Sequence, residues 1–276
     1  MAESPDLGAY FQRIGYRGAP RATLETLEDL HALHVEAIPF ENLSPFLGEP
    51  VGLDLASLEA KLVRGARGGW CFEHNLLLAH VLVALGFDVT RLAARVRWGA
   101  PAGVVTARSH MLLQVKLEEG DYIADVGFGG LTLTAPLELR AGAEQATPHE
   151  AHRLVAQGAG YLLEAKAEDA WQALYHFDLH EQHLADYEVS NWYLCNHPKS
   201  YFLAGVVAAR AAPDARHALR NTRYSVHRPD GTTERRFILS VDDYLSTLRG
   251  PFQIDVPESP HLRDKLQKLI DANPPT

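Results

Sequence analysis

The chain is poor in the residues that build covalent or metal-held frameworks. Its 276 residues include two cysteines, Cys71 and Cys195, and two methionines. Two cysteines cannot form a disulfide scaffold, so any cysteine with a role is expected to act through its thiol. No apolar run approaches the roughly 18 residues of a membrane span, so no membrane partner is expected. Cations are in the minority, 26 Lys+Arg against 35 Asp+Glu, a formal net charge of −9. That balance argues against a general nucleic-acid binder, which needs a clustered basic face. There is no Ser/Gly tract, no charge block and no internal repeat. No GxGxxG or GxSxG motif occurs, and Gly127-Phe128-Gly129-Gly130 lacks the GK[ST] ending of a phosphate-binding Walker loop. Met1 to Asp6 carries neither a basic n-region nor an apolar h-region, which makes a cytoplasmic location the expectation. What remains is ordinary globular composition, 46% hydrophobic and 22% charged.

Apolar spacing divides the chain into three stretches. Residues 1–87 read as helices. Asp6 to Ile14 is a short amphipathic segment. Leu24 to Ile38 follows with Thr23 as N-cap and Pro39 as stop. Asp54 caps a third helix, with Leu55, Leu58, Leu62 and Val63 on its apolar face. A fourth runs from Cys71 to Leu85, apolar nearly all round and therefore central, with Gly86 as its C-terminal glycine. Residues 88–183 change to strand spacing. Leu92–Trp98 alternates, Met111–Leu117 and Tyr122–Val126 read as the next two strands with Gly120-Asp121 as the hairpin turn between them, and the strand-like runs Arg153–Ala156, Tyr161–Ala167 and Trp171–Phe177 follow. An antiparallel sheet or small barrel is expected. Residues 184–276 mix a helix (Leu184–Asn196), strands (Phe202–Ala209, Ala218–His227, Thr233–Leu239) and two closing helices, one after the Ser240/Asp243 capping box and one from Pro260 to Asp271. This order predicts an α+β fold of closely packed units rather than a doubly wound parallel sheet.

The segment with chemical content is Arg67-Gly68-Gly69-Trp70-Cys71-Phe72-Glu73-His74-Asn75. A cysteine here follows a Gly-Gly loop and opens a buried helix. First-turn N–H groups are unpaired and carry partial positive charge, so they stabilise a thiolate and can serve as an oxyanion hole. A buried, inert cysteine is the competing reading. A nucleophilic thiol needs a base and the base an orienting group. His110 opens a strand, and Asp125 ends one ahead of a glycine loop, where a buried carboxylate needs a partner. Each has an ordinary alternative, a surface histidine or a turn aspartate.

The segment resembles the RGGxCxExN signature of the arylamine N-acetyltransferases. Ile38-Pro39-Phe40-Glu41-Asn42-Leu43 is similar to the family's PFENL motif, Ser109-His110-Met111-Leu112-Leu113 to its histidine strand, and Asp125-Val126-Gly127-Phe128-Gly129 to its aspartate loop. Asn191-Trp192-Tyr193, His197-Pro198, Ser200 and Phe202 resemble its later helix-to-strand segment. The resemblance implies a cysteine-protease-like Cys-His-Asp core of Cys71, His110 and Asp125, in an N-terminal helical bundle (1–87), a central antiparallel β-barrel (88–183) and a C-terminal α/β lid (184–276). It implies ping-pong transfer of an acetyl group from acetyl-CoA, the co-substrate, through an acyl-cysteine to an arylamine or hydrazine acceptor. No metal is called for. Phe40, Phe128 and Phe202 are implied as the acceptor pocket. Thr106, Ser109, Gly127 and Gly129 are candidate coenzyme A contacts.

Other expectations are structural. Arg67 and Glu73 are expected to pair beneath the cysteine loop, and Asn75 to bond backbone. Trp98 reads as a buried strand tryptophan or a support for the loop near His110. Arg210–Arg220 and Arg235-Arg236 read as solvated faces, with a contribution to holding the coenzyme A phosphates as the alternative. His180/His183 and Cys195/His197 lack the spacing of a zinc site. A transglutaminase-like cysteine hydrolase, an amide synthase of the same fold and a non-catalytic binding module are the rival functions. The sequence leaves the oligomeric state open.

Overall fold

The computed structural model describes residues 4–101, 103–167, 170–256 and 259–275. Five N-terminal α-helices form, three of them started by a polar residue whose side chain caps the first turn. Helix α1 (Leu7–Ile14) is capped by the Asp6 carboxylate on the Ala9 N–H, and α2 (Leu24–Ala37) by the Thr23 hydroxyl on the Thr26 N–H. Strand β1 (Phe40–Glu41) and helix α3 (Leu43–Leu47) come next, and neither was signalled by periodicity. The Asp54-capped helix α4 (Leu55–Leu58) widens into a π-helical stretch, Glu59–Arg64, where a plain α-helix was expected. Helix α5 (Cys71–Ala84) is buried along its first eight residues and beyond, and Gly86 takes the positive φ of 89° that follows its C-terminus.

Eight strands follow: β2 (Asp88–Val96), β3 (Arg108–Leu117), β4 (Gly120–Ala124), β5 (Leu137–Glu138), β6 (Glu144–Gln145), β7 (His152–Gln157), β8 (Gly160–Ala167) and β9 (Ala170–Phe177). They pair in the order β5-β4-β3-β2-β9-β8-β7-β6. Every pairing is antiparallel. The two end strands meet through one side chain: the Gln145 amide accepts from the Glu138 N–H at 2.9 Å and donates to the Glu138 carbonyl at 2.9 Å, imitating a strand partner. The result is a nearly closed barrel. The hairpin turn lies at Glu118-Glu119, two residues earlier than expected, because Gly120 already pairs with Leu117. Trp98 is not a buried strand residue. It lies past β2 and is 50% exposed.

The C-terminal part begins with α6 (Leu184–Asn196) and α7 (Tyr201–Ala204), then adds β10 (Val207–Ala212), β11 (Ala215–Arg220), β12 (Arg223–His227) and β13 (Thr233–Phe237). Two expectations fail here. Residues 201–204 are helical, so the strand starts at Val207, and the expected strand Ala218–His227 is two strands. Asn221, with φ of 53°, turns the chain between β11 and β12. These strands form a second sheet in the order β1-β10-β11-β12-β13, so residues 40–41 supply its edge from far upstream. Helices α8 (Val241–Arg249, capped by Ser240) and α9 (Pro260–Ala272, capped by Ser259) cover it.

Strand β3 lies where two cores meet. Met111, Leu113 and Val115 pack with α5, while Leu112 points into the barrel with Leu92, Leu163 and Leu174. Period-two alternation therefore puts the even residue His110 on the barrel side, next to the N-terminus of α5.

Candidate active site

Cys71 is the first residue of α5 and is 7% exposed. The loop before it is clamped to residues 39–41. Gly69 accepts from the Glu41 N–H at 2.8 Å, and a Cβ on Gly68 would lie 2.0 Å from the Pro39 carbonyl, so only glycine fits. The Glu73 carboxylate accepts from the Trp70 N–H at 3.0 Å and from Lys61 Nζ at 2.8 Å. Arg67 pairs instead with Glu41, its Nε donating at 2.9 Å, so the expected Arg67–Glu73 pair does not form. Two carboxylates, two cations: each chooses the partner that its backbone position brings within reach.

His110 Nε2 donates to Asp125 Oδ2 at 2.7 Å, which leaves Nδ1 for the Cys71 sulfur, a group close enough to act electrostatically on the ring. Burial alone would lower this imidazole, but Asp125 and the Cys71 sulfur outweigh it and raise His110 to about 10. Asp125 is buried, which raises a carboxyl, yet it lies below the ordinary value. The reason is that His110, the Asn75 amide and the Gly127 N–H all favour its charged form. Asn75 Nδ2 donates to Asp125 Oδ1 at 3.0 Å and to the Met111 carbonyl at 2.7 Å, and its Oδ1 accepts from the Val126 N–H at 3.1 Å. The expected backbone role is thus joined by a direct one on Asp125. Cys71 Sγ also lies 3.7 Å from the Ser109 carbonyl.

The candidate pocket residues surround this centre. Phe128 sits edge-on to His110, with centroids 5.1 Å apart. Phe202 packs against Trp70 at 5.3 Å and Phe40 at 6.3 Å, and a Cβ on Gly129 would touch the Phe40 ring at 3.6 Å. Ser109 reaches the thiol through its carbonyl. The Thr106 hydroxyl is committed to the Val96 carbonyl at 2.7 Å, and the structure brings it to no member of the triad. Gly127 is where the aspartate loop packs on the cysteine helix. A Cβ there would lie 2.7 Å from Cys71 Cα. Gly127→Ala is therefore expected to push the aspartate loop off α5 and lower kcat/KM roughly a hundred-fold, as about 1 Å of misplacement does. Near-normal kcat/KM in the folded variant would show that the two elements separate without cost.

Sequence reasoning missed several supports. Tyr175 is fully buried, with its ring 4.8 Å from His110. The His31 Nε2 accepts from the Asp125 N–H at 3.2 Å. Behind the cysteine helix runs a directed chain. His74 Nε2 faces the Pro39 and Gly69 carbonyls at 3.1 Å each, so it carries the proton. Its Nδ1 then accepts from His34 Nε2 at 3.0 Å, and His34 Nδ1 accepts from the Tyr10 hydroxyl at 2.9 Å. Burial lowers His74 and His31 to about 4 each, which keeps both neutral near pH 7. Only His74 was signalled, by lying within the cysteine motif.

A groove of about 220 Å³ opens on the C-terminal sheet, lined by Gly130 of the aspartate loop, β10 to β12, and Arg220, Arg223, His227 and Arg235. Exposed Tyr201 packs at a tilt against Phe202, with centroids 4.1 Å apart, and lies within electrostatic reach of both Cys71 and Arg220. Arg220 and Arg235 are exposed as expected for solvated faces. Arg210 and Arg216 are not: Arg210 donates to the Glu36 carbonyl at 2.7 Å, and Arg216 is 5% exposed and pairs with Glu150. Among the described residues no group of three metal-ligating side chains occurs, and no helix is long and apolar enough to cross a membrane.

A thiol at a helix N-terminus, an imidazole on the adjacent strand and a buried carboxylate behind it are the parts that a nucleophilic cysteine requires. The sequence profile of the N-acetyltransferase family matches residues 23–260. The chain is 44% identical over 275 residues to the arylamine N-acetyltransferase of Mycobacterium tuberculosis, covering 98% of this chain and 97% of that one. It is 44% identical over 255 residues to that of Mycolicibacterium smegmatis, covering 91% and 92%. The solved structure of Mycobacterium marinum arylamine N-acetyltransferase in complex with CoA superposes with a TM-score of 0.92 at 42% identity, over 96% of this chain and 99% of that one. The chain belongs to the arylamine N-acetyltransferase family.

Proposed function

We propose that Cys71, His110 and Asp125 transfer an acetyl group from acetyl-CoA to arylamines, the activity for which the family is named. The single observation that carries the assignment is the contact chain from Asp125 Oδ2 through His110 to the Cys71 sulfur. A protonated His110 stabilises negative charge on the sulfur. The sulfur attacks the acetyl carbonyl, and the first-turn N–H groups of α5 face the oxyanion. The coenzyme A thiolate leaves and takes the His110 proton. The amine then attacks the acetyl-cysteine, His110 accepts the amine proton, and Cys71 leaves as the thiolate, restoring the starting pair. Both half-reactions use one imidazole, which is the reason for ping-pong order.

Arg220, Arg223, His227 and Arg235 fit the phosphates of coenzyme A, on a chain whose net charge of −9 otherwise repels them. Gly127, packed on Cys71, and Gly129, beside the Phe40 ring, bring the backbone of the aspartate loop close to the thiol, where it can meet the thiol arm of coenzyme A. Phe40, Phe128 and Phe202 form the apolar wall for the acceptor ring, and hydrazines fit the same geometry because they present the same nucleophilic nitrogen. A role for Thr106 in holding coenzyme A rests on the family resemblance alone. Both cysteines are free thiols, which suits a reducing, cytoplasmic location.

Intact-protein mass spectrometry after mixing with acetyl-CoA tests this reading. One acetyl mass is expected on Cys71, removed by an arylamine, with one equivalent of coenzyme A released on mixing and further release only once the amine is added. Sustained release beyond one equivalent without an acceptor would favour hydrolysis, and no adduct would overturn the assignment.

A further inference from the structure

Arg216 is buried on β11, yet its donors do not serve its own sheet. Its Nε and Nη2 hold Glu150 at 2.9 and 2.5 Å, Nη2 also reaches the Thr132 carbonyl at 2.8 Å, and Nη1 the Gly130 carbonyl at 3.4 Å. The Thr132 hydroxyl in turn donates to the Asp125 carbonyl at 3.1 Å and accepts from the Phe128 N–H at 3.2 Å. The guanidinium is therefore two hydrogen bonds from the backbone of Asp125. Four residues further along β11 is Arg220, in the wall of the basic groove that Gly130 also lines. A guanidinium suits this place because its planar fork meets a carboxylate and carbonyls at once, which a lysine ammonium does not. Glu150 neutralises the buried charge. His149 and His152, the other titratable groups beside it, are lowered chiefly by burial, so they add no competing cation near pH 7. Around Asp125 the facing groups are His110, His31 and Tyr175.

We propose that Arg216, anchored by Glu150, is a positioning residue for acetyl transfer: it fixes the Gly130 and Thr132 carbonyls and, through the Thr132 hydroxyl, sets Asp125 against His110, tying the triad to the wall of the acyl-donor groove. The inference rests on the role given above to Asp125 and to the groove. An ion pair that merely staples the barrel to the C-terminal sheet would change stability and nothing at the thiol.

The full-length Arg216→Lys and Thr132→Val variants, singly and combined, separate the two. The readouts are the melting temperature, the rate of acetyl-enzyme formation, and the pH profile of Cys71 alkylation by iodoacetamide. Each single variant is expected to slow acetylation roughly ten-fold, the scale of a sub-ångström misplacement. Each also moves the alkaline limb of alkylation to lower pH, because a loosened Asp125 holds the His110 proton less well. The double variant should be no worse than the worse single one, since one cut already breaks the chain. Glu150→Gln, which leaves the guanidinium in place, should show the same shift and serves if Arg216→Lys does not fold. Unchanged alkylation profiles, or losses that add and follow the melting temperature alone, would overturn the inference. If the wild-type protein forms no acetyl-cysteine, the functional reading falls, while the alkylation profiles still report whether Arg216 acts on the triad.

Discussion

Asp125→Asn is expected to slow acetyl-enzyme formation by about a thousand- to ten-thousand-fold, the scale seen when a triad carboxylate becomes an amide. The structure dictates how. Oδ1 of Asp125 accepts from Asn75 Nδ2 at 3.0 Å and from the Gly127 N–H at 3.0 Å. An asparagine must keep its oxygen there, which turns its NH₂ toward His110. His110 Nε2 now faces a donor and must give up its proton. The neutral ring carries its hydrogen on Nδ1, pointing at the sulfur, and cannot accept the thiol proton. The same change removes the main charge that raises His110, so burial pulls it down from about 10. The sign follows directly. In the wild type the stabilisation gained from charged His110 is full below the unfolded histidine value and is lost as pH rises through the folded one. In the variant that loss moves to lower pH. Rapid-mixing measurement of coenzyme A release, with Cys71 alkylation against pH, checks both. A folded variant within ten-fold of the wild-type rate would remove Asp125 from the mechanism.

Lys61→Met should give the largest loss of stability, about 3–5 kcal/mol, as expected when one partner of a buried pair is removed. Glu73 is 2% exposed and its cation is Lys61 at 2.8 Å. Without it the carboxylate is left beside Glu41, which already disfavours its charge. The folded Glu73 carboxyl is raised, by burial first, above its unfolded value. The folded state therefore binds more protons than the unfolded one between those values, and stability falls as pH rises through that window. Removing Lys61 widens the window. Denaturant unfolding is thus expected to show the deficit shrinking as pH falls below neutral, as the variant protonates Glu73. A deficit that is constant across that range would mean that Lys61 acts by packing. Because Glu73 also caps the Trp70 N–H, the variant should lose activity along with stability.

Elements governed by local rules were legible. Thr23, Asp54 and Ser240 cap the helices they precede, Gly86 follows α5, and β7 to β9 form where strand runs were read. Short apolar runs were not. Tyr201–Ala204 contains too few residues for a period to show, and Ala218–His227 hides a turn that only the left-handed Asn221 reveals. Arg216 looked like a surface cation because its neutralising carboxylate is 66 residues away. Arg67 and Glu73 looked like partners because they are close in sequence, whereas the fold supplies Glu41 and Lys61.

The sequence alone determined the residue types and order of the site: a cysteine after two glycines at a helix start, a histidine opening a strand and an aspartate closing one. Hydrogen-bonding rules and backbone sterics act within a few residues, so they can be read along the chain. Only the tertiary structure decided that the three meet, that His110 points into the barrel beside the thiol, and which buried charges neutralise one another. Those outcomes depend on contacts between residues tens of positions apart, made when separate elements exclude water from a shared core, and no local pattern records them.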